Sequence, residues 1–189
     1  WGSTVGTVTI ADASTITTNG VTIGGSITFT DSLSSGAMFT IASDLTVSGT
    51  TTLTSGVLAL NGYSITTGAF ASNNTNTRTI GFGPSGSITT TGSGTVWDTT
   101  NQTNLTYNGT QNIYIGNNTG SAATIAAGIT GGTSTNAFNF NVYTGNYTLT
   151  ITTGSVLASL SLTLGFNGTW AMGTGAYTLY GSLIVGSAA

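Results

Sequence analysis

The first seventy residues are built from apolar-x-apolar triplets set between short polar turns. That is the period-two pattern of strands and not the 3.6 period of helices. Val21-Thr22-Ile23 is followed by Ile27-Thr28-Phe29, Phe39-Thr40-Ile41 by Leu45-Thr46-Val47, and Leu58-Ala59-Leu60 by Tyr63-Ser64-Ile65. The leading triplets step by 18 residues, from 21 to 39, and then by 19, from 39 to 58, with Leu33 and Leu53 as a third apolar position. A repeat of about 20 residues carrying two or three short strands is the length of one coil of a β-solenoid. Gly24-Gly25, Ala42-Ser43-Asp44 and Asn61-Gly62 are then expected to stack at one corner. The same spacing also fits successive hairpins of an Ig-like or jelly-roll β-sandwich with strand exchange. Either way the fold is all-β, and the solenoid is the reading taken forward.

The chain is read as one β module over 1–189, in three stretches. Residues 1–70 hold the regular repeat strands. Residues 71–136 form a loop-rich polar region dominated by Asn, Thr and Gly, with short strands expected near 79–82, 104–107 and 112–115. Because long structureless loops are rare inside compact domains, this stretch is expected to be an irregular β region or a protruding subdomain. Over 137–189 the alternation returns, as in Phe138-x-Phe140-x-Val142 and Tyr147-x-Leu149-x-Ile151.

Composition removes most reaction chemistry. There is no His, Cys, Lys or Glu, and besides tyrosines the ionisable side chains are Asp12, Asp31, Asp44, Asp98 and Arg78. Acid–base and nucleophilic catalysis lean on groups this chain lacks, so it is expected not to be an enzyme and to hold no cofactor. Soft-metal sites want His and Cys, and no closely spaced acidic loop offers calcium a site, so no metal is expected. The aspartates could pair for glycoside hydrolysis, but their spacings do not match one stacked coil, and capping of turn amides explains them better. With one cation and a net charge of −3 there is no basic patch for nucleic acid. No stretch reaches the roughly 18 apolar residues of a bilayer span, so no membrane insertion is expected. The sequence opens at Trp1 without a charged n-region or apolar signal core, so the chain is expected to be processed or cut from something longer. Arg78 is its one trypsin site.

Charged residues make up only 3% of the chain, far below the roughly 25% usual in soluble proteins, so glycans or assembly must keep it dispersed. Both point outside the cell. Asn-x-Ser/Thr sequons stand at Asn73, Asn101, Asn104, Asn108, Asn117, Asn146 and Asn167, and are the candidate glycosylation sites. Trp97, Tyr107, Tyr114, Tyr143 and Tyr147 could stack on sugar rings, or could be core and cross-strand partners. Val5, Val8 and Ile10 near the start, and Leu179, Leu183 and Val185 near the finish, read as end strands whose edges need partners. Strand addition between subunits is a recurrent way to build fibres, which makes the chain's expected partner another copy of itself.

The phrases Ile16-Thr-Thr-Asn-Gly-Val-Thr-Ile23, Leu45-Thr-Val-Ser-Gly-Thr-Thr-Thr-Leu53 with its continuation to Tyr63, Phe166-Asn-Gly-Thr-Trp170 and Tyr180-Gly-Ser-Leu183 carry a resemblance. The chain resembles the long, repetitive Gly/Thr/Ser-rich β fibre, adhesin and surface proteins of aquatic bacteriophages and bacteria. The resemblance implies a repeated extracellular β module without catalytic residues, secreted or displayed on a virion or cell surface. Two functions are expected from it and from the strand ends: a glycosylated filament module joined head to tail, or a tail-fibre or adhesin segment that binds cell-surface glycans.

Overall fold

A computed structural model describes residues 6–33, 36–109, 112–116, 121–127, 138–142, 146–153, 156–162, 168–174 and 176–185. Its strands begin with β1 (Thr7–Ala11), β2 (Ser14–Ile16), β3 (Thr22–Ile23), β4 (Ser26–Thr30), β5 (Met38–Ile41), β6 (Leu45–Leu53) and β7 (Gly56–Ala59). Next come β8 (Ser64–Ala71), β9 (Arg78–Gly83), β10 (Ser87–Thr90), β11 (Gly94–Asp98), β12 (Leu105–Gly109), β13 (Asn112–Ile115) and β14 (Ala123–Ala126). The last are β15 (Phe138–Val142), β16 (Thr148–Thr153), β17 (Val156–Leu162), β18 (Thr169–Thr174), β19 (Thr178–Leu179) and β20 (Leu183–Val185).

Neighbouring strands pair in parallel, because the chain returns to the same face only after a full coil. The result is the β-solenoid expected from the triplets. Face A stacks β3, the first halves of β6 and β8, then β10, β13, β15 and β17. Face B stacks β1, β4, the second halves of β6 and β8, then β11, β14, β16 and β18. Face C is a separate five-stranded sheet of β2, β5, β7, β9 and β12, so about five turns of the chain are three-sided. Beyond β12, the described strands continue on faces A and B.

Each face buries its alternate residues in register. On face A, Leu45, Ile65, Ile88, Ile113 and Phe140 stack one above another, all at most 1% exposed. Face B stacks Ile27, Thr51, Phe70, Trp97, Ile125 and Ile151, and face C stacks Phe39, Leu58 and Ile80. Phe29 and Phe39 meet across the interior at 5.3 Å between ring centroids. Such columns keep large side chains in contact with their equivalents about 4.8 Å away along the axis, which is how a thin coil obtains a continuous core.

Two corners depend on glycine. Between faces A and B, the Gly49 N–H donates to the Gly25 carbonyl at 2.9 Å and the Gly92 N–H to the Gly68 carbonyl at 2.8 Å. A Cβ on Gly68 would lie 2.8 Å from the Ser48 carbonyl oxygen, and one on Gly92 2.6 Å from that of Gly68. No side chain fits between backbones stacked so closely. Between faces C and A, Asn61 and Gly62 turn through φ of 51° and 87°, a left-handed pair that Asn and Gly adopt at low cost.

The register differs from the sequence reading in three ways. Phe39 does sit against Leu58, a step of 19, but Thr22 pairs with Thr46, a step of 24, and not with the triplet at 39. The connection from β4 to β5 is longer than that from β6 to β7, and the two triplets lie on different faces. Gly24-Gly25 stacks on Gly49 and so belongs to a different corner from Ser43-Asp44, over which Thr18 sits. Leu53 is buried, whereas Leu33 is 73% exposed in that longer corner. The loop-rich middle contains β9, β12 and β13, in register with the rungs before them, so it is an irregular β region of the same coil.

The polar residues of the core give a direct test. Thr67 and Thr90 occupy the same column, partners on β8 and β10, and both are fully buried. The Thr67 hydroxyl accepts from Thr51 Oγ1 at 3.0 Å and lies 2.9 Å from the Gly49 and Ala69 carbonyls. The Thr90 hydroxyl has no hydrogen-bond partner. Removing an unpaired buried hydroxyl relieves its desolvation, so Thr90→Val is expected to stabilise by about 1 kcal/mol and Thr67→Val to destabilise by about 1–2 kcal/mol. Urea denaturation of both variants measures the opposite signs.

Candidate assembly surfaces and the polar corner

The N-terminal end of the coil presents unpaired strand edges. Among the described residues, β1 pairs only with β4, β2 only with β5 and β3 only with β6. Ser26 N–H donates to the Gly6 carbonyl and Asp12 N–H to the Thr30 carbonyl. In a parallel ladder the bonded residues alternate, so Gly6, Val8, Ile10 and Asp12 face β4, and Thr7, Thr9 and Ala11 turn their backbone groups to the open edge. Val8, Ile10, Ile16, Ile23 and Ile27 line an apolar concavity of about 450 Å³ at this end. Val8, Ile10, Ile16 and Ile23 are the first members of the core columns and half covered, whereas Ile27, one rung deeper, is 1% exposed.

The C-terminal end is also apolar. Met172 on β18 is 50% exposed, and Leu179, Tyr180, Leu183 and Ile184 are exposed around β19 and β20. β18 pairs with β16 and β20 with β17. Of the predicted assembly residues, Val8 and Ile10 thus lie at one end and Leu179, Leu183 and the backbone of Val185 at the other; Val5 lies outside the described residues.

The outward rows of the three faces differ. On face B one row runs through Thr9, Thr28, Thr52, Ala71, Asp98 and Ala126, and the next through Thr7, Thr50, Ala69, Thr95, Thr124 and Thr150. Face A instead carries Tyr114, Asn112 and Asn141, and face C carries Met38, Val57 and Asn108. Face B is therefore the face of small side chains, with Asp98 the single charged residue in these two rows.

The sequence reading missed the most elaborate polar site, at the corner between faces B and C. Arg78, the chain's only cationic side chain, is fully buried there. Its Nε donates to the Asn76 carbonyl at 2.9 Å, and Nη1 donates to the Ser72 carbonyl and to Ser72 Oγ at 3.3 Å. Nη2 reaches the next coil, donating to the carbonyls of Asn101 at 3.2 Å and Thr103 at 2.6 Å. The planar five-donor guanidinium matches such a fork of oxygens. Burial lowers the Arg78 pKa, and the neighbouring Tyr107 opposes that shift. Burial in turn pushes Tyr107 up to about 12, against the hydrogen bonds of Thr99 and Gln102 and the field of Arg78. Tyr107 is therefore un-ionised at neutral pH. The one trypsin site is consequently held inside the fold.

Asn side chains tie the same corner. Asn73 Nδ2 donates to Asp98 Oδ2 at 3.0 Å, Asn73 Oδ1 accepts from Asn101 N–H at 3.0 Å, and Asn104 Nδ2 donates to the Thr75 carbonyl at 2.9 Å. Of the sequons, Asn73, Asn104, Asn108 and Asn146 are exposed and Asn101 is half-buried, whereas Asn117 and Asn167 lie outside the described residues.

Asp12, Asp31 and Asp44 are turn residues, and Asp98 ends strand β11. Asp31 is 8% exposed, and its carboxylate accepts from Leu33, Gly36 and Ala37 N–H. Asp12 Oδ1 accepts from Ser32 Oγ, and Asp44 Oδ1 from Ser64 N–H. One expectation is corrected here: Ala11 pairs with Thr30, so Asp12 and Asp31 do occupy one corner on adjacent coils. Capping consumes Asp31 there. Among the described residues no three potential metal ligands cluster.

Trp97 is fully buried, stacked on Phe70 at 4.7 Å and edge-on to Phe140 at 6.3 Å, with Nε1 donating to Thr99 Oγ1. Tyr147 is 5% exposed. Neither can stack on a sugar. Tyr107 and Tyr114 are half-buried, and Tyr143 lies outside the described residues. Compared with models of protein families, with curated proteins and with solved structures, the chain matches none.

Proposed function

We propose that this chain is a structural module of an extracellular filament, glycosylated on exposed sequons and joined head to tail by β-strand pairing. The observation that carries the reading is the pair of open apolar ends on one parallel coil. β1 and β18 belong to the same face-B stack and run in the same direction, so β18 of one copy can continue into β1 of the next without changing strand order or polarity. In the register of the face-B columns Met172 would then lie over Val8, covering part of the concavity. A head-to-tail contact of this kind does not close on itself and generates a fibre. The near-absence of surface cations and the sequons at the polar corner fit an extracellular setting.

Proline at an open edge tests the reading. Thr9 faces away from β4, so Thr9→Pro removes an edge N–H without taking a bond from the β1–β4 ladder. Wild-type protein is expected to elongate with concentration in electron micrographs, and Thr9→Pro to stay short while keeping its circular dichroism spectrum. Monodisperse wild-type particles at high concentration, or unimpaired growth of Thr9→Pro, would overturn it. Intact mass of the native material reports the glycans.

A further inference from the structure

We propose that face B is a lateral docking surface for the same face of a second copy, so that coils pair side by side. The argument begins with shape. Apart from Asp98, the two outward rows of face B hold only Thr and Ala, with Ser26 on β4, from β1 to β16, all half-exposed or exposed, and no Tyr, Asn or Met interrupts them as on the other faces. Two sheets whose facing side chains are small and identically spaced can interdigitate with little loss of side-chain entropy, the geometry of dry sheet-to-sheet contacts.

Area favours a self-complementary partner, and charge opposes it at one position only. Asp98 is the one charged residue of these rows, and it sits at the edge of the face, where Asn73 Nδ2 and Thr100 N–H donate to its carboxylate at 3.0 and 3.2 Å. Nothing else on the rows repels a copy of itself. Strands of about five residues at about 3.3 Å per residue, stacked about 4.8 Å apart over the strands of face B, span roughly 16 by 38 Å. Two such faces would withdraw about 1,200 Å² from water, at the threshold of a specific interface. A two-fold axis near β8 and β11 makes the contact isologous and limits it to pairs. Lateral pairing does not depend on end-to-end joining.

The absence of cysteine makes the test clean, since one introduced thiol is the only one present. β8 turns the corner between faces, placing Thr66 outward on face A and Ala71 outward on face B of the same strand. Under mild oxidation at micromolar concentration, Ala71→Cys is expected to give at least ten-fold more disulfide-linked dimer than Thr66→Cys. Adding Thr52→Lys to Ala71→Cys should abolish the excess. Circular dichroism checks that each variant is folded. Equal cross-linking at the two positions, none at Ala71→Cys, or indifference to Thr52→Lys would overturn the proposal. So would an Ala71→Cys protein that stays monomeric while the wild type, but not Thr52→Lys, binds crystalline polysaccharide or slows ice recrystallisation, which would make face B a surface for an ordered lattice.

Discussion

Replacing Arg78 by Met is expected to cost about 3–5 kcal/mol. The change removes every donor from the carbonyls of Ser72, Asn76, Asn101 and Thr103. Each acceptor left dry forfeits about 1–3 kcal/mol, and partial hydration of the corner brings the sum down to the stated range. Arg78→Lys should recover part of the loss, because an ammonium is a single point of donation and cannot bridge both loops. In a coil whose rungs touch only their neighbours, damage at one level also weakens communication along the axis. Urea unfolding of Arg78→Met should therefore show a lower midpoint and a broader transition, and limited proteolysis should cut at 72–77 and 99–104. A variant with an unchanged midpoint would mean that water already satisfies these carbonyls.

Trp97→Ala should be of similar size, about 3–5 kcal/mol, as for other large aromatics truncated in a packed core. The ring contacts Phe70 and Phe140 and hydrogen-bonds Thr99, so the cavity would open between faces A and B where no neighbouring rung can collapse without breaking register. A double-mutant cycle with Phe70→Ala isolates the stacked pair, expected at about 0.5–1.5 kcal/mol of coupling. Coupling near zero would show that Trp97 acts by volume alone.

Much of the fold could be read from period-two alternation, because most inward residues of β4 to β8 are large and apolar and most outward ones are Thr, Ser or Ala. The coil was legible from the step between Phe39 and Leu58. The neighbouring step was misread because triplets such as Val21-Thr22-Ile23 and Phe39-Thr40-Ile41 have the same chemistry on different faces, and sequence distance alone does not say which corner has grown. β11 and β14 went unnoticed for a related reason: Gly94-Thr95-Val96-Trp97-Asp98 buries two consecutive residues across a bulge, and Ala123-Thr124-Ile125-Ala126 buries an alanine. The end strands were anticipated from their valines and leucines. The corner built around Arg78 was not, since its partners are mostly backbone carbonyls, which any residue supplies and no sequence motif announces.

Residues per coil vary from 19 between Phe39 and Leu58 to 29 between Gly94 and Ala123, yet the strands on either side stay paired, with a single bulge between β11 and β14. The slack is taken up at corners, and lengthening a closed loop costs only about 0.6 kcal/mol per doubling. Corners that hold no buried side chain are thus free to vary. Segments could be inserted at an exposed turn such as Pro84-Ser85, replaced or diversified without renegotiating the core, which makes the molecule a chassis on which new surface chemistry can be tried while the shaft remains the same.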